Sequence, residues 1–176
     1  MTYRIVTVCT GNICRSPMAE YALRAALDDA HLGDRVEVSS VGVSDEEAGN
    51  TIDRRAGALL RSHGIDPSAH RARQMDREEI LGADLVLALD HDHVAPVRRI
   101  AGEDLSERLF MVRDFAPEPV EDTGIRDPWW GDESDFELAW SQIDEATDGI
   151  IEHVRAALLA GDTDERTAAH DAEDAR

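Results

Sequence analysis

Arg4-Ile5-Val6-Thr7-Val8-Cys9-Thr10-Gly11-Asn12-Ile13-Cys14-Arg15-Ser16-Pro17 is the stretch from which the fold is read. Its first six residues form a short, largely β-branched run that suits a strand covered on both faces. Thr10-Gly11-Asn12 are turn formers. Ser16-Pro17 pairs a favoured N-cap with the residue favoured at the first helical position. The order is therefore strand, tight loop, helix. The helix runs to about Asp29, with Met18, Ala22, Leu23, Ala26 and Leu27 at helical spacing. Gly11 and Asn12 tolerate left-handed backbone, so the loop can curl with its N–H groups inward. Such a nest at a helix N-terminus takes an anion, and Arg15 adds a two-pronged donor suited to phosphate. Cys9, at the base of the loop, lies among N–H dipoles, a helix end and a guanidinium, all of which favour the thiolate. A thiolate beneath a bound phosphate is a nucleophile aimed at phosphorus. The nucleotide-binding pattern GxxxxGK is absent, and the chain has no Lys to supply it.

Outward from that stretch, strand and helix alternate. Val36–Val38 reads as a second strand ending at Ser39-Ser40, followed by an irregular segment from Val41 to Thr51. A helix capped by Thr51 or Asp53 carries Ala56, Leu59 and Leu60 and stops at His63-Gly64. A short helix over Asp76–Leu81, a third strand over Leu85–Leu89 and a helix near Val94–Ile100 follow. Leu109–Val112 is the fourth strand, Arg113–Glu133 a long loop, and Asp135–Leu159 a final helix. This alternation predicts a three-layer α/β domain on a parallel sheet, with its ligand beyond the carboxyl ends of the strands. Residues 1–160 read as the domain. Residues 161–176 lack large apolar side chains and read as an acidic, disordered tail.

Bulk composition removes several function classes. The chain has 176 residues, enough for one domain. Its 38 acidic residues against 18 basic ones, all Arg, give a net charge of −20. That field repels nucleic acid and anionic lipid surfaces, so neither is an expected partner. There is no apolar run long enough for a transmembrane helix and no signal-peptide pattern at the N-terminus. The two cysteines, Cys9 and Cys14, are neither a disulfide framework nor a CxxC zinc pair, so a reducing cytoplasm is expected. His91-Asp92-His93 reads as a solvated polar loop, and no metal or cofactor is expected.

A second element lies in the long loop: Ile125-Arg126-Asp127-Pro128-Trp129-Trp130-Gly131. An Asp held by a following Pro, beside two aromatics, suits a general acid over a pocket for an aromatic group.

These residues resemble a known family. CTGNICRSPMAE at Cys9–Glu20 is similar, nearly letter for letter, to the signature of the low-molecular-weight protein tyrosine phosphatases. DPWWGDESDF at Asp127–Phe136 resembles their acid loop, and RSHGIDPSAHRARQ at Arg61–Gln74 is similar to a further stretch. The resemblance spans residues 3 to about 158. It implies a flavodoxin-like three-layer fold with a four-stranded parallel sheet in order 2-1-3-4. It implies hydrolysis of phosphotyrosine in proteins, and of small aryl phosphates, through a phosphocysteine, with inorganic phosphate as product and inhibitor. In that scheme Cys9 is the nucleophile, and Arg15 with the amides of Thr10, Gly11, Asn12, Ile13 and Cys14 binds the phosphoryl oxygens. Asp127 is the general acid and base. Ser16 hydrogen-bonds the thiolate, Asn12 shapes the loop with Ser40 and His70 supporting it, and Trp129 and Trp130 form the aromatic wall. Two positions depart from the family pattern. Trp129 and Trp130 stand where Tyr is usual, and Glu46 stands where many members place a Trp at the pocket mouth. Arsenate reduction, supported by the same fold, needs resolving cysteines downstream, and none follows Cys14. The phosphoarginine phosphatase branch carries Thr where this loop has Ile13.

Overall fold

The computed structural model describes residues 2–102 and 104–174, with side chains to residue 162. Its sheet is built from β1 (Tyr3–Cys9), β2 (Val36–Gly42), β3 (Leu85–Ala88) and β4 (Leu109–Met111). All pairs are parallel and the spatial order is β2-β1-β3-β4. The helices are α1 (Arg15–Asp29), α2 (Arg54–Ser62), α3 (Arg77–Gly82), α4 (His91–Ala101) and α5 (Glu133–Asp174). This is the flavodoxin-like arrangement that the sequence resemblance implies.

The central strands are apolar nearly throughout because both faces are covered. Ile5, Leu85 and Leu87 face one cluster, closed by Met18, Leu23 and Leu27 of α1 and by Phe136, Ile143 and Ile150 of α5. Val6, Val8, Val86 and Ala88 face the other, closed by Ile80 of α3 and by Val97 and Ala101 of α4. Truncating one of these, Leu87 for example, costs about 2–5 kcal/mol. Since β2 lies on one side of β1 and β3 on the other, the strand order reverses between β1 and β3, and a crevice opens at their carboxyl ends. Cys9 and Asp90 lie there, at the switch point where such sheets bind ligands.

Several local expectations are corrected. α1 begins at Arg15 with Cys14 at its N-cap, so Ser16 does not cap it. The Ser16 hydroxyl is drawn to the Cys9 sulfur instead. Of the two candidate caps for α2, Asp53 does the work, accepting from Arg55 N and Ala56 N. β2 runs past Ser39-Ser40 to Gly42, because its end pairs with Cys9 of β1. α4 starts at His91, capped by Asp90, so His91-Asp92-His93 is its first turn rather than a loop, and His93 is buried. The tail read as disordered instead continues α5 to Asp174. Past Gly161 the sequence is rich in Ala, Asp, Glu and Arg and has no Pro, so nothing in it stops a helix already begun.

Candidate active site

Cys9 ends β1 and is buried, 2% exposed. The Ser16 hydroxyl donates to its sulfur at 3.0 Å. Between them the chain turns through Asn12, which takes the left-handed conformation at φ 57°. Gly11 does not take that conformation. A Cβ there would lie 3.1 Å from Glu47 Cγ, so the small residue serves close approach.

Every polar side-chain atom of Asn12 is engaged. Its Nδ2 donates to Ser16 Oγ at 3.0 Å and to Ser40 Oγ at 2.8 Å, and its Oδ1 accepts from the Arg73 amide at 2.9 Å. Its carbonyl accepts from His70 Nε2 at 2.7 Å, which fixes the His70 tautomer with the proton on that nitrogen. Burial holds His70 below the ordinary histidine range. Ser40 in turn donates to buried Glu20, which pairs with Arg24 at 2.7 Å. A continuous chain thus runs from Glu20 through Ser40, Asn12 and Ser16 to the Cys9 sulfur, and it explains the left-handed residue: the network over-determines it.

β2 presses on the loop from outside. Val43 N donates to Cys9 O and Ser44 N to Thr10 O, both at 2.9 Å. A Cβ on Gly42 would fall 2.9 Å from Thr10 O and 3.1 Å from Gly11 C, so only glycine lets the strand and loop backbones approach this closely.

Arg15, 2% exposed, is the electrostatic centre. Its Nη1 donates to Ile125 O at 2.8 Å and Asp90 Oδ2 at 3.2 Å; its Nη2 donates to Asp127 Oδ2 at 2.7 Å. Its Nε–H is buried and has no partner among the described residues. A bound oxyanion would supply that missing acceptor. Asp127 caps the short 3-10 turn over Pro128–Trp130 through Trp129 N. The Asp-Pro dipeptide thereby sets the carboxylate over the loop.

These groups share one cavity of about 200 Å³, lined by Cys9, Thr10, Gly11, Ile13, Cys14 and Arg15 of the loop together with Asp127, the Trp pair, Glu46 and Glu47. Trp130 is 87% exposed, so the pair is a rim and not core. Clefts of 430, 410 and 420 Å³ lie elsewhere, and no cysteine lines any of them.

The combination of a buried thiol, an arginine and an aspartate around an anion-sized floor agrees with a family match. The family model described as low molecular weight phosphotyrosine protein phosphatase covers residues 4–159. The chain belongs to this family. It is 41% identical over 155 residues to low molecular weight protein-tyrosine phosphatase A of Mycobacterium tuberculosis, covering 88% of this chain and 93% of that one. Among solved structures, the low molecular weight protein tyrosine phosphatase from T. tengcongensis is 31% identical with a TM-score of 0.73, covering 86% and 99% of the two chains. Wzb of Vibrio vulnificus, solved in complex with benzylphosphonate, is 25% identical with a TM-score of 0.74, covering 87% and 99%.

The structure brings Cys9, Arg15, Ser16, Asn12, Ser40, His70 and Asp127 together around the loop. It also sets the character of the second cysteine. Burial above all, then Asp53 and Cys9 nearby, pushes the Cys14 thiol far up, so it is a poor thiolate. Sequence reasoning missed four participants. Glu20 lies inside the signature, but its buried carboxylate is visible only in space. Asp90 reaches Arg15 only because β3 ends beside β1. Arg55 donates to Trp129 O at 3.2 Å and Gly131 O at 2.9 Å while bonding Asp53, which braces the aromatic wall against α2. His93 meets Thr10. Among the described residues no cluster of three or more His, Cys, Asp or Glu could hold a metal, and no helix is long and apolar enough to cross a membrane.

Proposed function

We propose that the chain hydrolyses phosphate monoesters of phenols, in phosphotyrosine-containing proteins and in small aryl phosphates, through a phosphocysteine. The observation that carries this reading is Cys9, with a hydroxyl donated to its sulfur, on the floor of the cavity that Arg15 and Asp127 also line. The substrate's phosphoryl oxygens take the loop amides and the Arg15 fork, including the Nε–H that lacks an acceptor. The phenol ring lies between Trp129 and Ile13. A phosphoryl oxygen at Arg15 Nη2 displaces Asp127 Oδ2.

Cys9 Sγ attacks phosphorus, the S–P bond forms and the P–O bond to the phenol breaks, while Asp127 gives its proton to the departing oxygen. Asp127 then takes a proton from water, the water oxygen attacks phosphorus, and the S–P bond breaks to return the thiolate. Inorganic phosphate leaves, and at high concentration it occupies the same loop as an inhibitor. Ser16 stabilises the sulfur when it carries charge, and Asn12, Ser40 and His70 hold the loop open. Residues 1–160 are the catalytic unit, with 161–176 outside it. No metal, cofactor, nucleic acid or membrane enters the scheme. Both thiols are free, in keeping with a reducing cytoplasm.

Turnover of p-nitrophenyl phosphate by the parent and by Cys9→Ser tests the reading. The variant keeps the loop amides and Arg15, so it should bind phosphate with no measurable turnover. Parent-like turnover in Cys9→Ser overturns the phosphocysteine.

A further inference from the structure

His93 is among the buried titratable groups at the site that the mechanism above leaves unused. His93, in the first turn of α4, is 3% exposed, and its Nε2 lies 3.1 Å from Thr10 Oγ1. The same hydroxyl oxygen lies 3.4 Å from Arg15 Nη2. Thr10 is an exposed member of the loop and lines the cavity. His93 Nδ1 is buried and has no partner among the described residues.

Two tautomers are possible. A proton on Nδ1 would leave a buried N–H with no acceptor and would turn the Thr10 proton towards Nε2. A proton on Nε2 makes the ring the donor to Thr10 Oγ1 and leaves only a lone pair unengaged on Nδ1. Folded interiors tolerate an under-used acceptor better than an orphaned donor, which selects the second tautomer. A guanidinium can only donate. Thr10 Oγ1 then accepts from both His93 and Arg15, its two lone pairs are taken, and its own proton has only the cavity to face.

We propose that His93 is a positioning residue that fixes the Thr10 hydroxyl as a hydrogen-bond donor to the bound phosphoryl group. The inference rests on the phosphatase reading for the identity of the anion. The Thr10 side chain thereby becomes a phosphate ligand in addition to its amide. Burial, and then the neighbouring Arg15, push His93 down to about 4, so the ring stays neutral at the pH of catalysis and adds no charge beside Arg15.

The test is the affinity for inorganic phosphate, measured by calorimetry on the full chain, with kcat and KM for p-nitrophenyl phosphate alongside. Thr10→Val and His93→Leu should each weaken phosphate roughly tenfold, the worth of one hydrogen bond to a charged group. The double variant should be no weaker than either single one, because both delete the same bond. His93→Gln, whose amide nitrogen falls where Nε2 lies, should restore most of the affinity. A merely structural role would not give this pattern. Parent-like affinity in Thr10→Val, losses that multiply in the double variant, or a folded His93→Gln as weak as His93→Leu each overturn the proposal. Should His93→Leu fail to fold, Thr10→Val and His93→Gln decide alone. A parent that binds phosphate but does not turn over p-nitrophenyl phosphate refutes the phosphatase reading, while the affinity comparison still decides the role of His93.

Discussion

Arg15 and Asp127 stand 112 positions apart in the chain and meet at 2.7 Å between Nη2 and Oδ2. The Arg15 side chain is 3% exposed and that of Asp127 is 37% exposed. Asp127 thus holds one prong of the Arg15 fork, and in the proposed scheme a phosphoryl oxygen takes its place there.

That exchange separates the effects of Asp127→Ala. Loss of the acid should cut kcat on phosphotyrosine by about 10²–10³-fold, and less on p-nitrophenyl phosphate, whose leaving group needs less protonation. Phosphate affinity should be no weaker than in the parent, since a competing carboxylate has gone. Equal kcat losses on the two substrates would assign Asp127 a positional role instead.

Gly42 lies outside the signature loop yet sets its position. Gly42→Ala places a methyl 2.9 Å from Thr10 O and 3.0 Å from Ser44 O, both backbone atoms that cannot swing away. The strand must shift, at a cost of about 1–3 kcal/mol. Phosphate affinity and melting temperature should fall together. A variant with parent affinity would show that the loop does not depend on the β2 end.

Stability should decline in mild acid through the two buried histidines. His93 is pushed from 6.5 to about 4, by burial and then by Arg15, and His70 is lowered mainly by burial. Between about pH 6.5 and 4 the unfolded chain therefore holds more protons than the fold, so folding loses free energy as pH falls. His93 accounts for at most about 3 kcal/mol of that loss, at 1.36 kcal/mol per unit. Denaturant midpoints from pH 7 to 4.5 should drop less steeply in His93→Gln than in the parent. Identical slopes would remove His93 as the cause.

Charge at the mouth should shape substrate choice. Glu46 is exposed and lines the cavity together with the Trp pair, in a chain of net charge −20. Glu46→Gln should raise kcat/KM for an acidic phosphopeptide at 0.01 M salt, where the Debye length is ~30 Å. The gain should shrink at 0.15 M, where that length is ~8 Å. A small aryl phosphate should show little of this gain. An equal gain for both substrates at both salt concentrations would point to shape at the rim rather than charge.

The alternation of strand and helix and the placing of Cys9 at a strand end follow from local patterns, namely β-branched runs, a turn, and apolar residues at helical spacing, whereas the order β2-β1-β3-β4 was implied only by the family resemblance. The sequence by itself determined the strand–loop–helix unit and put Cys9 and Arg15, the proposed nucleophile and phosphate binder, on one loop, because these lie within a few residues of one another. Asp127, the proposed acid, was legible through its Asp-Pro-Trp-Trp setting. Local pattern misassigned Ser16 as a cap and placed His93 in a solvated loop, because the partners that claim them, Cys9 and Thr10, reach them only through the fold. Only the tertiary structure decided that Glu20 supports the loop through Ser40, that Asp90 and Asp127 share Arg15, and that Gly42 must be glycine. The physical reason is the same in each case. Periodicity reports which side a residue faces, whereas a hydrogen bond or a backbone approach of about 3 Å depends on two segments brought together by strand pairing, and no local pattern encodes that distance.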